Sequence, residues 1–109
     1  MQYTLHISNQ FYNDFDDTYN YIKDVLKNKD AADKLKEKTK ETILKLKTFP
    51  NIGSILYNYS RTRSIFRYIR IDNYFIFYRI DKSDIYIHKM IYQGRNYMKI
   101  IFPNEKSDD

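Results

Sequence analysis

The run Tyr74-Phe75-Ile76-Phe77-Tyr78-Arg79-Ile80 carries a single charged side chain among aromatic and branched apolar ones. Asp72-Asn73 precedes it, and Asp81-Lys82-Ser83-Asp84 follows it. Apolar runs of this length between turn-forming residues read as strands. A strand with one wet face alternates polar and apolar residues, and this one does not. It is therefore expected at the centre of a sheet, covered on both faces at least in part. Any fold for the chain has to provide a strand on each side of it and a layer above it.

The flanking sequence supplies such strands. Residues 65–71 and 85–91 are also strand-like, and the short polar breaks between the runs suit tight hairpin turns, so the three runs read as an antiparallel meander. Residues 54–64, rich in Ser, Asn, Tyr and Arg, read as a loop.

Upstream the period changes. Tyr3, Leu5 and Ile7 alternate along a short opening strand, and Ser8 and Asn9 then offer capping side chains. Phe11, Phe15, Tyr19, Ile22 and Leu26 recur at helical spacing. The aspartates among them suit the start of a helix dipole. After Asn28-Lys29, Asp30 is the expected cap of a second helix over residues 31–48, with Leu35, Thr39, Thr42, Ile43 and Leu46 as its inner stripe. Pro50 and Gly53 end it. The expected fold is α+β in the order β-α-α-β-β-β, a helical hairpin packed on one face of a small, mainly antiparallel sheet. The second face is left to water or to a partner. His88, Tyr86, Met90 and Tyr92 are expected to share a face of the last strand.

With 109 residues the chain is expected to form one domain over residues 1–102, followed by a polar tail over 103–109 that frays. The absence of cysteine excludes disulfides, thiol nucleophiles and zinc–thiolate sites. The N-terminus does not resemble a signal peptide, and no apolar run approaches the roughly 20 residues of a membrane helix. A soluble, cytoplasmic protein is expected.

Charge is unevenly spread. Residues 1–30 hold five Asp against three Lys, whereas residues 61–100 hold six Arg and three Lys against three Asp. A basic half interleaved with tyrosines points to nucleic acid or an acidic protein segment as partner, against the plainer reading of a solvated surface. Tyr closes a core with its ring while its hydroxyl stays outward, so the twelve tyrosines need not be functional.

Taken in order, several fragments resemble the RelE/ParE toxin superfamily over residues 3–102: the opening strand and helical hairpin, Ala31-Ala32 opening the second helix, the stretch from Leu46 to Gly53, Phe66-Arg67-Tyr68, the stretch from Asp72 to Asp81, and Ile91-Tyr92-Gln93-Gly94-Arg95-Asn96-Tyr97. The resemblance implies the toxin of a two-gene module, inhibiting growth and neutralised by a cognate antitoxin that wraps it. It implies one of two targets. ParE-like members poison DNA gyrase by protein contact, and RelE-like members cut mRNA on the ribosome without metal. A non-toxic nucleic-acid-binding domain is a third reading, resting on the basic, tyrosine-rich half alone.

Metal-free RNA cleavage needs a base for the ribose 2′-OH, cations for the phosphate and an acid for the leaving oxygen. Arg67, Arg79 and Arg95 are candidate catalytic cations, with His88 as candidate acid or base. Arg70, Tyr92 and Tyr97 are candidate target-binding residues, the tyrosines by stacking on a base. Each has a plainer alternative: Arg95 pairing with the acidic tail, His88 as a partly buried strand residue, the tyrosines as core or rim. Arg95 stands where RelE-like toxins carry a basic residue beyond the last strand. Phe75 stands where those nucleases carry an arginine, and a phenyl ring cannot neutralise phosphate, so the ParE-like reading is preferred. No cofactor and no metal site are expected.

Overall fold

The computed structural model describes residues 2–105. Its sheet has five strands: β1 (Thr4–Ile7), β2 (Ser54–Tyr57), β3 (Arg63–Ile71), β4 (Tyr74–Asp81) and β5 (Asp84–Tyr92). They lie in the order β1-β5-β4-β3-β2, with β1 parallel to β5 and every other pair antiparallel. The apolar run of β4 occupies the centre. Ile76, Phe77 and Tyr78 are completely buried, which requires cover on both faces because successive side chains point oppositely.

The hairpin of α1 (Asn9–Asn20) and α2 (Lys29–Leu46) provides the first cover. Ser8 joins β1 to α1. Its hydroxyl oxygen accepts from the Phe11 N–H at 3.0 Å and donates to the His88 carbonyl at 2.7 Å, so one residue caps the helix and ties it to β5. Asn28, and not Asp30, caps α2: its side chain accepts from the Ala31 N–H at 3.0 Å. The helix therefore starts at Lys29, and Asp30 falls within its first turn, where a carboxylate favours the positive end of the dipole. Between the helices, residues Tyr21–Val25 form a π turn closed by the Leu26 N–H on the Tyr21 carbonyl. The extra residue in that turn breaks the helical phase, so Leu26 leaves the inner stripe on which its spacing placed it and is 55% exposed.

The core under the hairpin joins Phe11, Leu35, Ile43 and Leu46 to Ile76, Tyr78, Ile85 and Ile87. The opposite face, expected to be left to water or a partner, is covered in part: the end around Phe77 is closed, and a cleft lined by His6, Arg79, Tyr86 and His88 stays open. The C-terminal segment returns as α3 (Tyr97–Ile101), and Leu56, Phe77, Ile91 and Ile101 form a second core with Phe75, Met98 and Phe102 packed around it. Only such a return removes the inward rings of β4 from water on that side.

Residues 54–57, expected within a loop, are an edge strand paired with β3. What places them is a tertiary contact. The buried Tyr78 hydroxyl donates to the Pro50 carbonyl at 2.7 Å and accepts from the Gly53 N–H at 3.0 Å, so the turn Pro50–Ile52 delivers the chain onto the sheet edge.

β5 carries a one-residue irregularity opposite Phe77 and Tyr78, which pair with Lys89 and Ile87 and leave His88 extra. Beyond such a bulge every side chain changes face. Tyr86 and His88 therefore face the α3 side, whereas Met90 belongs to the core under the hairpin. The alternation that put Met90 and Tyr92 beside His88 is corrected by this bulge. At the C-terminus, the Glu105 carboxylate accepts from the Tyr59 N–H at 2.8 Å, and residues 106–109 of the expected tail lie outside the described residues.

Candidate functional site

β1 ends at Ile7, but β5 runs on to Tyr92, so the second half of β5 has no strand beside it on that edge among the described residues. α1 crosses this opening, and Asp14 takes the place of a strand by accepting the Met90 N–H at 3.1 Å. A groove of about 800 Å³ remains, with Asp17, Tyr21 and Leu26 on the hairpin wall and Tyr74, Tyr92 and Arg95 on the sheet wall. Arg95 is exposed on the turn after β5, its N–H bonded to the Tyr92 carbonyl at 3.0 Å. Tyr92 is half-exposed and meets Tyr74 edge-on, with ring centroids 5.8 Å apart. Arg95 and Tyr92 are thus brought together at one mouth, with carboxylates across from them.

Arg79 and His88 lie elsewhere. On the α3 side, His6, Tyr86, Arg79 and Phe66 are successive partners across four strands. His6 stacks on Tyr86 at 4.7 Å, and the Arg79 guanidinium sits 4.0 Å over the Tyr86 ring. His88 stacks on Phe66 at 5.2 Å, and the group lines a cleft of about 290 Å³. Burial, aided by the charges of Lys89 and Arg79, pushes the His88 imidazole below its ordinary pKa, while Asp14 opposes that shift. The protonated form is disfavoured there, so the imidazole stays neutral to lower pH than a free histidine.

The remaining candidates are tied to the framework. Arg67 pairs with Tyr78 on the hairpin side and donates to the Gly53 carbonyl at 2.9 Å. Arg70 donates to the Asp72 carbonyl at 2.8 Å on the exposed β3–β4 turn. Tyr97 packs between Phe75 and Phe77, with centroids at 5.3 and 5.7 Å. Phe75 meets Tyr68 at 5.4 Å, so position 75 belongs to an aromatic cluster under α3. The four candidate catalytic residues therefore occupy three places: Arg79 with His88, Arg67 on the reverse of the sheet, and Arg95 beyond β5.

Sequence reasoning named Ser8 only as a helix cap and passed over His6 and Asp14 as functional residues. Alternation from Leu5 and Ile7 already put His6 on the face away from the hairpin. Nothing local linked Asp14 to a strand 76 residues away. Among the described residues, no cluster of three His, Cys, Asp or Glu side chains could hold a metal ion, and no helix is long and apolar enough to cross a membrane.

A helical hairpin on a sheet whose first strand runs parallel to its last defines a small α+β class. Residues 5–97 match the model of a specific family, the ParE toxin of the type II toxin–antitoxin system parDE, and the chain belongs to that family. It is also similar in fold to a solved chain of the chromosomal ParDE toxin–antitoxin system from P. aeruginosa. The identity is 18% and the TM-score 0.66, over 84% of this chain and 96% of the other. A search of the curated proteins returns no match. The chain is thus a type II toxin of the ParE kind, and a toxin of this kind has an antitoxin partner.

Proposed function

We propose that the protein arrests growth by binding DNA gyrase through protein contact, with Arg95 and Tyr92 at the mouth of the hairpin-side groove as target contacts. The observation that carries this reading is the dispersal of the candidate catalytic groups. In-line cleavage of RNA requires a base, an acid and phosphate-binding cations around one phosphorus atom. Here Arg67 and Arg79 are on opposite faces of the sheet, and Phe75 fills its position with packed carbon. A protein target makes no such demand, because a half-exposed tyrosine beside an exposed arginine already has the composition of an interface anchor.

A ribosome-dependent endoribonuclease is the second reading, favoured by one arrangement: Arg79 and the neutral His88 line the same cleft. Two assays on the purified protein separate them. Inhibition of gyrase supercoiling with accumulation of cleaved DNA, and intact mRNA on programmed ribosomes, is the expected result. Cleavage of the mRNA that disappears in His88→Ala would overturn the gyrase reading in favour of the nuclease. Inactivity in both assays would overturn both.

A further inference from the structure

The hairpin does not cover the whole of its side of the sheet. At the β2–β3 edge, Ile65 is 70% exposed, more than any other large apolar side chain among the described residues, and Tyr57, the strand partner of Arg63, is about half-exposed. Cross-strand pairing sets Tyr57 against Arg63 and Ile55 against Arg67, so apolar and cationic groups alternate over one small area. Ile55, Ile65, Arg63 and Arg67 line one shallow cleft of about 290 Å³, and none of its lining residues is a carboxylate. Arg67 is held in place there by its bond to the Gly53 carbonyl, so part of the entropy cost of fixing it is already met. The outer edge of β2 is paired with no strand among the described residues.

We propose that this edge is the docking site of an acidic, amphipathic segment of the cognate antitoxin, with carboxylates against Arg63 and Arg67 and apolar side chains covering Ile65 and Ile55. The inference rests on the toxin reading, and charge chooses the occupant. The hairpin-side groove opposes two aspartates to one arginine and repels an acidic segment. The β2–β3 edge offers two arginines and no carboxylate, set among carbons that gain from leaving water. Apolar burial there would supply affinity, and the arginines orientation and encounter rate.

The test uses the full-length toxin and, as probe, the product of the small open reading frame adjacent to its gene. Arg63→Glu combined with Ile65→Asp should weaken binding by about 100-fold or more, the scale of losing a central anchor. Both side chains are exposed, so the melting temperature should stay that of the wild type. The milder Arg63→Gln should flatten the fall in on-rate between low and physiological salt and leave the off-rate nearly unchanged. Arg95→Glu, in the other groove, should bind like the wild type. In cells, the double variant should arrest growth and escape neutralisation. If it is bound and neutralised as the wild type is, or if Arg95→Glu alone releases the antitoxin, the docking site is wrong while the toxin reading stands. If the wild type neither arrests growth nor binds the probe, the toxin reading fails and the site with it.

Discussion

The Tyr78 hydroxyl occupies the space a side chain at position 53 would need: a Cβ built on Gly53 would lie 2.5 Å from it and 2.8 Å from the Tyr68 carbonyl oxygen. The same hydroxyl bonds Pro50 and Gly53, so the buried middle of β4 and the entry to β2 are one unit. Tyr78→Phe leaves a buried carbonyl and a buried N–H without their partner. It should cost about 2–3 kcal/mol in denaturant unfolding. Gly53→Ala must push backbone as well as the phenol, and overpacking of this kind typically costs about 1–3 kcal/mol. A melt unchanged by either substitution would contradict this joint.

Asp14 gives a second measurable contact. Its carboxylate accepts from the Met90 N–H at the place where β1 has stopped. Hydrogen bonds to charged groups are worth about 1.5–3 kcal/mol, so Asp14→Ala should destabilise the fold by roughly 2 kcal/mol. The Met90 amide should also lose its protection against hydrogen exchange. An amide that stays protected in the variant would show that the carboxylate is dispensable.

His88 should make stability depend on pH. Its folded pKa lies below the ordinary 6.5 through burial and the neighbouring Lys89 and Arg79, so the folded state resists protonation more than the unfolded chain does. As pH falls below about 6.5 the unfolded chain takes up a proton that the fold does not, and stability declines until the folded imidazole titrates in its turn. His88→Gln should abolish this component between pH 6.5 and its lower end. Asp33, held below its ordinary value by Lys29 and Tyr19, contributes in a different window. Its contribution is present above about 3.8 and lost as pH falls through the lower folded value.

Arg95→Ala should separate function from folding. The side chain is exposed on a turn whose backbone bonds do not use it, so the melting temperature should move by no more than about 0.5 kcal/mol of stability implies. Growth arrest should weaken clearly. A variant that melts like the wild type and remains fully toxic would remove Arg95 from the target surface.

Hydrophobic period alone was enough for the helical hairpin, the central strand and the order of the later strands. Phe11, Leu35, Ile43 and Leu46 repeat at helical spacing, and the inward rings of β4 do not alternate. Those features are properties of neighbours in the chain, where local geometry and burial act together. The placement of residues 54–57, the cover supplied by α3 and the reversal of face after His88 were decided by tertiary structure. Each depends on contacts between distant segments: the Tyr78 hydroxyl reaching Pro50, α3 returning over Phe77, and an extra residue absorbed between β4 and β5. The candidate site divides in the same way. The arginines, His88 and tyrosines could be named from the sequence. Their distribution over two faces and one end could not, because the faces of Arg67 and Arg79 depend on the register between β3 and β4, and that of Tyr92 on a single-residue bulge that no local pattern records.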